Sequence, residues 1–195
     1  MSEKLAAGTL LLSAPSLQDP NFMHSVVLMC QHDEESAFGL VVNRPAARTI
    51  DELFPEHALL SDVRLRVRAG GPVGLDTLQV LHRVPLSGPG SHAGDLGGVE
   101  VGADVRIGPD LDEVARYVRD AEDPDGHVRF IVGYAGWGAG QLESEIQTGS
   151  WLPLASTPDV VFSKDDSEAV WRDAMGRLGG GGSSLAHHPP DPSWN

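Results

Sequence analysis

Two apolar runs, SVVLMCQH (25–32) and AFGLVV (37–42), are separated by the polar residues DEES (33–36). A link this short joins antiparallel strands in a hairpin, whereas parallel neighbours need a crossover of about a dozen residues or more. The run GTLLLSA (8–14) reads as a further short strand, followed by the turn residues PSLQDPN (15–21). NRP (43–45) ends the third strand, because Pro45 lacks an amide donor and holds Arg44 extended. The N-terminal part of the chain is therefore strand-rich with antiparallel links, and a doubly wound parallel sheet is disfavoured.

Helices are dispersed later. TIDELF (49–54) predicts a short helix with Thr49 as N-cap and Glu52 at capping-box spacing. Strands follow at VRLRVR (63–68), stopping at GGP (70–72), and at TLQVLHRV (77–84). LSGPGSHAGDLGG (86–98) reads as a surface loop, and GVEVGADVRIG (98–108) as a bent strand interrupted by Gly102. DLDEVARYVRDAE (110–122) gives the clearest helix, with Leu111, Val114, Ala115 and Val118 on one face. HVRFIVG (127–133) predicts a strand, QLESEIQ (141–147) a short helix, DVVF (159–162) a last strand and 165–178 a final helix with Val170, Trp171, Ala174 and Leu178 inward. The fold class expected is α+β, with a mixed, mostly antiparallel sheet. Residues 1–178 are expected to form one domain, and 179–195, GGGGSSLAHHPPDPSWN, a disordered low-complexity tail.

The stretch GYAGWGAGQLESEI (133–146) invites a test as a phosphate cradle. A Walker loop requires lysine beside its last glycine, yet no lysine lies between Lys4 and Lys164. The dinucleotide fingerprint fails on spacing, since Gln141 and Glu143 stand where its third glycine would fall. Glu143 and Glu145 also open the following helix, where they would repel a phosphate. A strand-to-helix turn with Tyr134 and Trp137 packed on the core remains, beside a site for a partner or a neutral or cationic group.

Charge narrows the function further. Twenty-eight acidic residues against fourteen Lys and Arg give a net charge of −14, which repels nucleic acid and anionic membranes and argues against direct nucleic-acid contact. Within VRLRVR, Arg64, Arg66 and Arg68 would share one face of a strand, read as a solvated face paired with acids. The apolar stretch Thr9–Ala14 falls far short of the roughly 20 residues of a membrane helix, so a cytoplasmic protein without membrane contact is expected. The single cysteine, Cys30, excludes an intrachain disulfide. Cys30 and His32 lie two apart in a predicted strand, projecting from one face, and form a candidate reactive thiol pair. The competing reading makes Cys30 a small buried hydrophobe and His32 the end of the strand. No histidine spacing suits a metal and no GxSxG elbow is present, so neither metal, cofactor nor catalytic residue is assigned.

Three blocks together resemble the YqgE/AlgH family of bacterial proteins: GTLLLSAPSLQDPNFMHSVVLMCQHDEESAFGLVVNRP (8–45), GGPV (70–73) with VLH (80–82), and VGYAGWGAGQLESEIQTGSWL (132–152). The pattern falls on Pro15, Asp19, Phe22, Ser25, Val26, His32, Gly39, Asn43, Arg44 and Pro45, then on Gly70, Gly71, Pro72 and His82. It ends on Gly133, Tyr134, Gly136, Trp137, Gly140, Gln141, Leu142, Glu143, Glu145, Ile146, Trp151 and Leu152. Ser36 departs from the glycine common there, and the tail has no counterpart. The resemblance implies a bifurcated sheet curled into a pseudo-barrel with helices outside, and no established enzymatic activity.

The expectation is a non-enzymatic regulatory or binding domain acting through a protein partner or a small ligand. Its candidate surface comprises Asn43, Arg44, Pro45, Gly70, Gly71, Pro72, Tyr134, Gly136, Trp137, Gln141 and Glu143, with an Arg44–Glu143 ion pair if the loops meet. Two alternatives stand beside it: a thiol enzyme or redox sensor at Cys30 and His32, and a transcriptional regulator acting indirectly rather than by touching DNA.

Overall fold

The computed structural model describes residues 5–83, 96–102 and 104–179. The expected 86–98 loop, apart from its last residues, and nearly all of the 179–195 tail lie outside these residues. The early hairpin reading holds. β1 (Thr9–Ser13), β2 (Val26–His32) and β3 (Ser36–Val41) form an antiparallel meander, with Leu10 opposite Leu28 and Leu28 opposite Leu40. Their alternating apolar residues fill two cores. Leu10, Leu12, Val26, Leu28 and Leu40 face inward, while Leu11, Val27, Met29 and Val41 face the other side.

β4 (Pro45–Thr49) leads into α1 (Ile50–Leu53), where the Thr49 amide donates to Glu52 Oε2 at 2.9 Å. β5 (Arg66–Ala69) pairs with β4 and starts later than VRLRVR predicts. β6 (Val73–His82) follows after Gly70–Pro72. β7 (Val99–Gly102) and β8 (Val105–Ile107) are two antiparallel strands where one bent strand was expected, because Gly102 takes φ +106° and reverses the chain. α2 (Leu111–Asp120) is capped by Asp110, which accepts from the Glu113 amide, and buries Val114, Ala115 and Val118.

The largest departure from expectation is β9 (Val128–Gly138), which runs straight through the glycines read as a loop. Its first half lies between β5, parallel, and β6, antiparallel; its second half pairs with β3. β9 thus belongs to both branches of the sheet, and Gly133, at φ +74°, turns it from one to the other. β5 and β6 flank β9, so their link must cross over it. A Cβ on Gly70 would come within 2.3 Å of the Gly133 carbonyl oxygen, and one on Gly71 within 2.2 Å of Tyr134 backbone atoms. Only glycine permits this backbone-on-backbone crossing.

α3 (Gln141–Gln147) follows β9, and β10 (Trp151–Ala155) returns antiparallel to β1. Residues 158–161 form a helix, α4 (Pro158–Val161), where a strand was expected: Pro158 occupies the first turn, which needs no amide donor, and the Phe162 amide closes onto its carbonyl. α5 (Ser167–Arg177), capped by Asp166, buries Val170, Trp171, Ala174 and Met175. The result is α+β: a mostly antiparallel sheet in the order β10-β1-β2-β3-β9-β6-β8-β7, with β4 and β5 off this path, curled into a half-barrel with five α-helices around it among the described residues.

Candidate functional site

The Gly138–Gln147 segment organises the outer face of the β1–β2–β3–β9 branch. Gly140 at φ +69° turns the chain out of β9, and the Gln141 side chain accepts from the Gly138 amide at 3.1 Å. One turn on, Glu145 Oε2 accepts from the indoles of Trp137 (3.0 Å) and Trp151 (2.8 Å), while its Oε1 accepts from Gln141 Nε2 (2.9 Å). Phe22 packs on both indoles, with ring centroids 6.4 and 5.4 Å away. Glu145 is therefore the hub that ties α3, β9 and β10 together, a role the sequence reading missed. Its signal was a second tryptophan six residues further on, which has one polar atom to satisfy when buried.

Glu143 projects beside this hub and meets His32 Nε2 at 2.7 Å. Its own backbone amide, then His32, hold the carboxyl below the usual range. The Glu143 side chain is about half exposed.

Arg44 does not reach Glu143, contrary to the pairing considered from sequence. Its guanidinium donates instead to the carbonyls of Pro20, Asn21 and Met23 and to Ser25 Oγ. Burial lowers its pKa, with Asp19 opposing. Arg44 thereby clamps the loop that presents Phe22 to the two tryptophans. Asn43 is also held by the framework: Oδ1 accepts from the Val26 amide, and Nδ2 donates to the carbonyls of His24 and Ser167. Pro45 pairs with Arg68 across β4 and β5.

The remaining candidates lie elsewhere. Gly70 and Gly71 form the crossing over β9, and Pro72 is exposed just beyond it. Tyr134 packs on Phe38 and the inner core, on the side of the sheet opposite Trp137, Gln141 and Glu143. The candidate residues thus divide between two faces of the sheet.

Cys30 and His32 do not share a face either. A bulge between Met29 and Gln31 places Gln31 opposite Phe38 and His32 opposite Ala37. Phe38 belongs to the inner core and Ala37 to the outer one, so the inserted residue turns His32 away from Cys30, which packs inward. Burial pushes the Cys30 thiol up to about 12. Arg68 corrects the solvated-face reading of VRLRVR: Arg64 and Arg66 are exposed, but Arg68 is buried because β5 lies between β4 and β9.

One backbone feature is open. Over Ala135–Gly138, β9 pairs with β3 alone among the described residues. The Gly138 amide points off that ladder to Gln141, and pairing alternates along a strand, so the Gly136 peptide faces the same unpaired edge. Gly136 and Gly138 are exposed, and nothing lies within 4 Å of a Cβ on Gly138. Val73 and Leu75, at 41% and 69% exposure, stand next to the start of this edge, where Val73 pairs with Tyr134.

Among the described residues no group of three or more His, Cys, Asp or Glu could hold a metal ion, and no helix is long and apolar enough to cross a membrane.

Comparison with known proteins agrees with this architecture. The family model DUF179, described as AlgH-like, matches residues 10–182. A UPF0301 protein of Chlorobium chlorochromatii is 35% identical, with 99% of this chain and 97% of that protein covered. One from Streptomyces coelicolor is 37% identical, covering 96% and 94%. Among solved structures, a Corynebacterium diphtheriae protein superposes with a TM-score of 0.75 at 21% identity, covering 95% of this chain and 93% of that one. The solution structure of AlgH from Pseudomonas aeruginosa gives 0.67 at 29% identity, covering 98% of both chains.

Proposed function

The chain belongs to the AlgH-like family, and from that premise we propose a binding domain without catalytic chemistry of its own, capturing a protein partner along the open edge of β9. One observation carries this reading: among the described residues no second strand pairs with β9 over Ala135–Gly138, where Gly136 and Gly138 are exposed and the Gly138 amide is capped only by the exposed Gln141 side chain, and exposed Val73 and Leu75 flank this edge. Such an edge is a template for an extended segment of another protein, with main-chain bonds supplying affinity and the apolar side chains selectivity. The framework behind the edge supports the same reading. Arg44, Asn43, Trp137 and Glu145 are held by framework bonds, and they keep the loop, β9 and α3 rigid behind the edge. The thiol alternative would need a thiolate at Cys30, which burial opposes. Regulation of transcription, if the protein exerts it, follows through the captured partner, since the charge of −14 opposes contact with DNA.

The test is quantitative affinity purification from the source cells with wild type and with Leu75→Asp, whose exposed site leaves the fold intact. A protein recovered by the wild type and lost with Leu75→Asp supports the reading. Identical recoveries from both, or no specific partner with either, reject it.

A further inference from the structure

We propose that Arg68 and Arg129 form a buried site for a small oxyanion, with a phosphate group as its natural ligand class. In the β5–β9 ladder Arg68 stands beside Ile131, and Arg129 precedes Ile131 by two residues on β9. Side chains two apart on a strand share a face, about 6.6 Å apart along it, so both guanidinium groups rise from one face of the sheet. That face is the inside of the half-barrel: Ile131, and Leu81 opposite Arg129, belong to its core. Arg68 is 5% exposed and Arg129 1%.

Both side chains are under-satisfied. Arg129 donates through Nη1 to Asp125 Oδ1 at 2.6 Å and to the Asp125 carbonyl, and through Nη2 to the Ser163 carbonyl at 2.7 Å. Its buried Nε has no partner. Arg68 is barer: its Nε is buried without a partner, and no hydrogen bond or ion pair reaches it from the described residues. Asp125 is engaged by Arg129 and also acts on Arg68 through space, while Arg66 repels Arg68. Arg83 and Arg129 both lie over the Phe162 ring, at 5.3 and 5.8 Å. Guanidinium charge thus accumulates here in a chain that is otherwise strongly acidic.

A buried cation without acceptors costs several kcal/mol in general, and arginine cannot escape by shedding its proton. Methionine or leucine would fill such a position without that cost. Two orphaned Nε donors rising from one face of the sheet make physical sense when an anion supplies the missing acceptors. The Nε–Nη edge of a guanidinium is the fork that binds phosphate or carboxylate oxygens in pairs. The site faces the barrel interior, away from the open edge of β9, and its test is independent of partner capture.

The experiment is a titration of the full chain with sodium phosphate at fixed pH and ionic strength, balanced with sodium chloride, read by thermal unfolding and by calorimetry. Sodium acetate in a parallel arm separates a carboxylate source from a phosphate one. A saturable rise in Tm with phosphate, absent in chloride and lost in Arg68→Met, is the expected result. Arg68→Lys keeps the charge without the fork and should weaken binding about tenfold or more. A response to acetate alone overturns the phosphate assignment. Equal Tm in all three salts, with no heat of binding to the wild type, overturns the site itself. That readout on the wild type decides the matter even if Arg68→Met fails to fold.

Discussion

Replacing Glu145 by alanine removes the acceptor shared by two buried indoles. Trp137 and Trp151 are 5% and 1% exposed, so neither N–H can turn to solvent. Each buried donor left without a partner costs about 1–3 kcal/mol, and two of them together about 2–6 kcal/mol. The contact to exposed Gln141 adds little. For a chain of this size each kcal/mol lowers Tm by about 2–4 °C, so a loss near the middle of that range lowers it by about 8–16 °C. Glu145→Gln keeps one oxygen where both indoles donate, and sets its amide against the Gln141 amide instead. It should therefore lose less than half as much. Thermal and urea unfolding followed by tryptophan fluorescence read both variants, with the affected indoles as their own reporters. The reasoning is refuted if Glu145→Ala unfolds within about 2 °C of the wild type, or if the glutamine variant is as damaged as the alanine one.

The glycines separate into those the fold requires and those it merely exposes. Gly71→Ala places a Cβ about 2.2 Å from the Tyr134 backbone and should abolish soluble expression, whereas Gly138→Ala, with nothing within 4 Å, should retain the wild-type Tm. Cys30 gives a prediction in pH. Its folded pKa near 12 lies above the ordinary 9.0, so the unfolded thiol ionises first as pH rises. Stability from this group is complete below pH 9 and declines between pH 9 and 12, and Cys30→Ala should flatten that alkaline slope in urea titrations. Iodoacetamide should label native Cys30 at pH 8 no faster than the chain unfolds; rapid labelling contradicts the buried thiol.

Local signals were legible in the sequence wherever short-range physics decides them. The DEES link gave the hairpin, and the apolar period of Leu111, Val114, Ala115 and Val118 gave α2. Glu52 reaching back to Thr49 gave α1. The misreadings share a different cause. Glycine weakens any strand signal, so the second half of β9 looked like a loop, although its pairing with β3 holds it extended. One bulge residue after Met29 reversed the face of His32, which no alternation rule foresees. Arg68 looked solvated because alternation says which side chains share a face, not whether that face is covered. The candidate motifs are held by partners that local patterns do not show: Arg44 and Asn43 bond a loop and a helix distant in sequence, and His32 finds Glu143 across 111 positions. Partners so far apart are fixed by topology, which single-residue patterns do not encode.

The crossing of Gly70 and Gly71 over β9 bears on how the chain is made. β5 and β6 leave the ribosome with a vacancy one strand wide between them, and the strand that fills it ends at Gly138. Until then the two have no shared neighbour to pair with, and the backbone amides and carbonyls along their edges are left open in the cytosol of an expression host. Vectorial synthesis therefore leaves more than half the polypeptide waiting on one late segment. A nascent chain stalled before Val128 should be a chaperone client, and release of the segment through Gly138 should trigger collapse of the sheet in a single cooperative step.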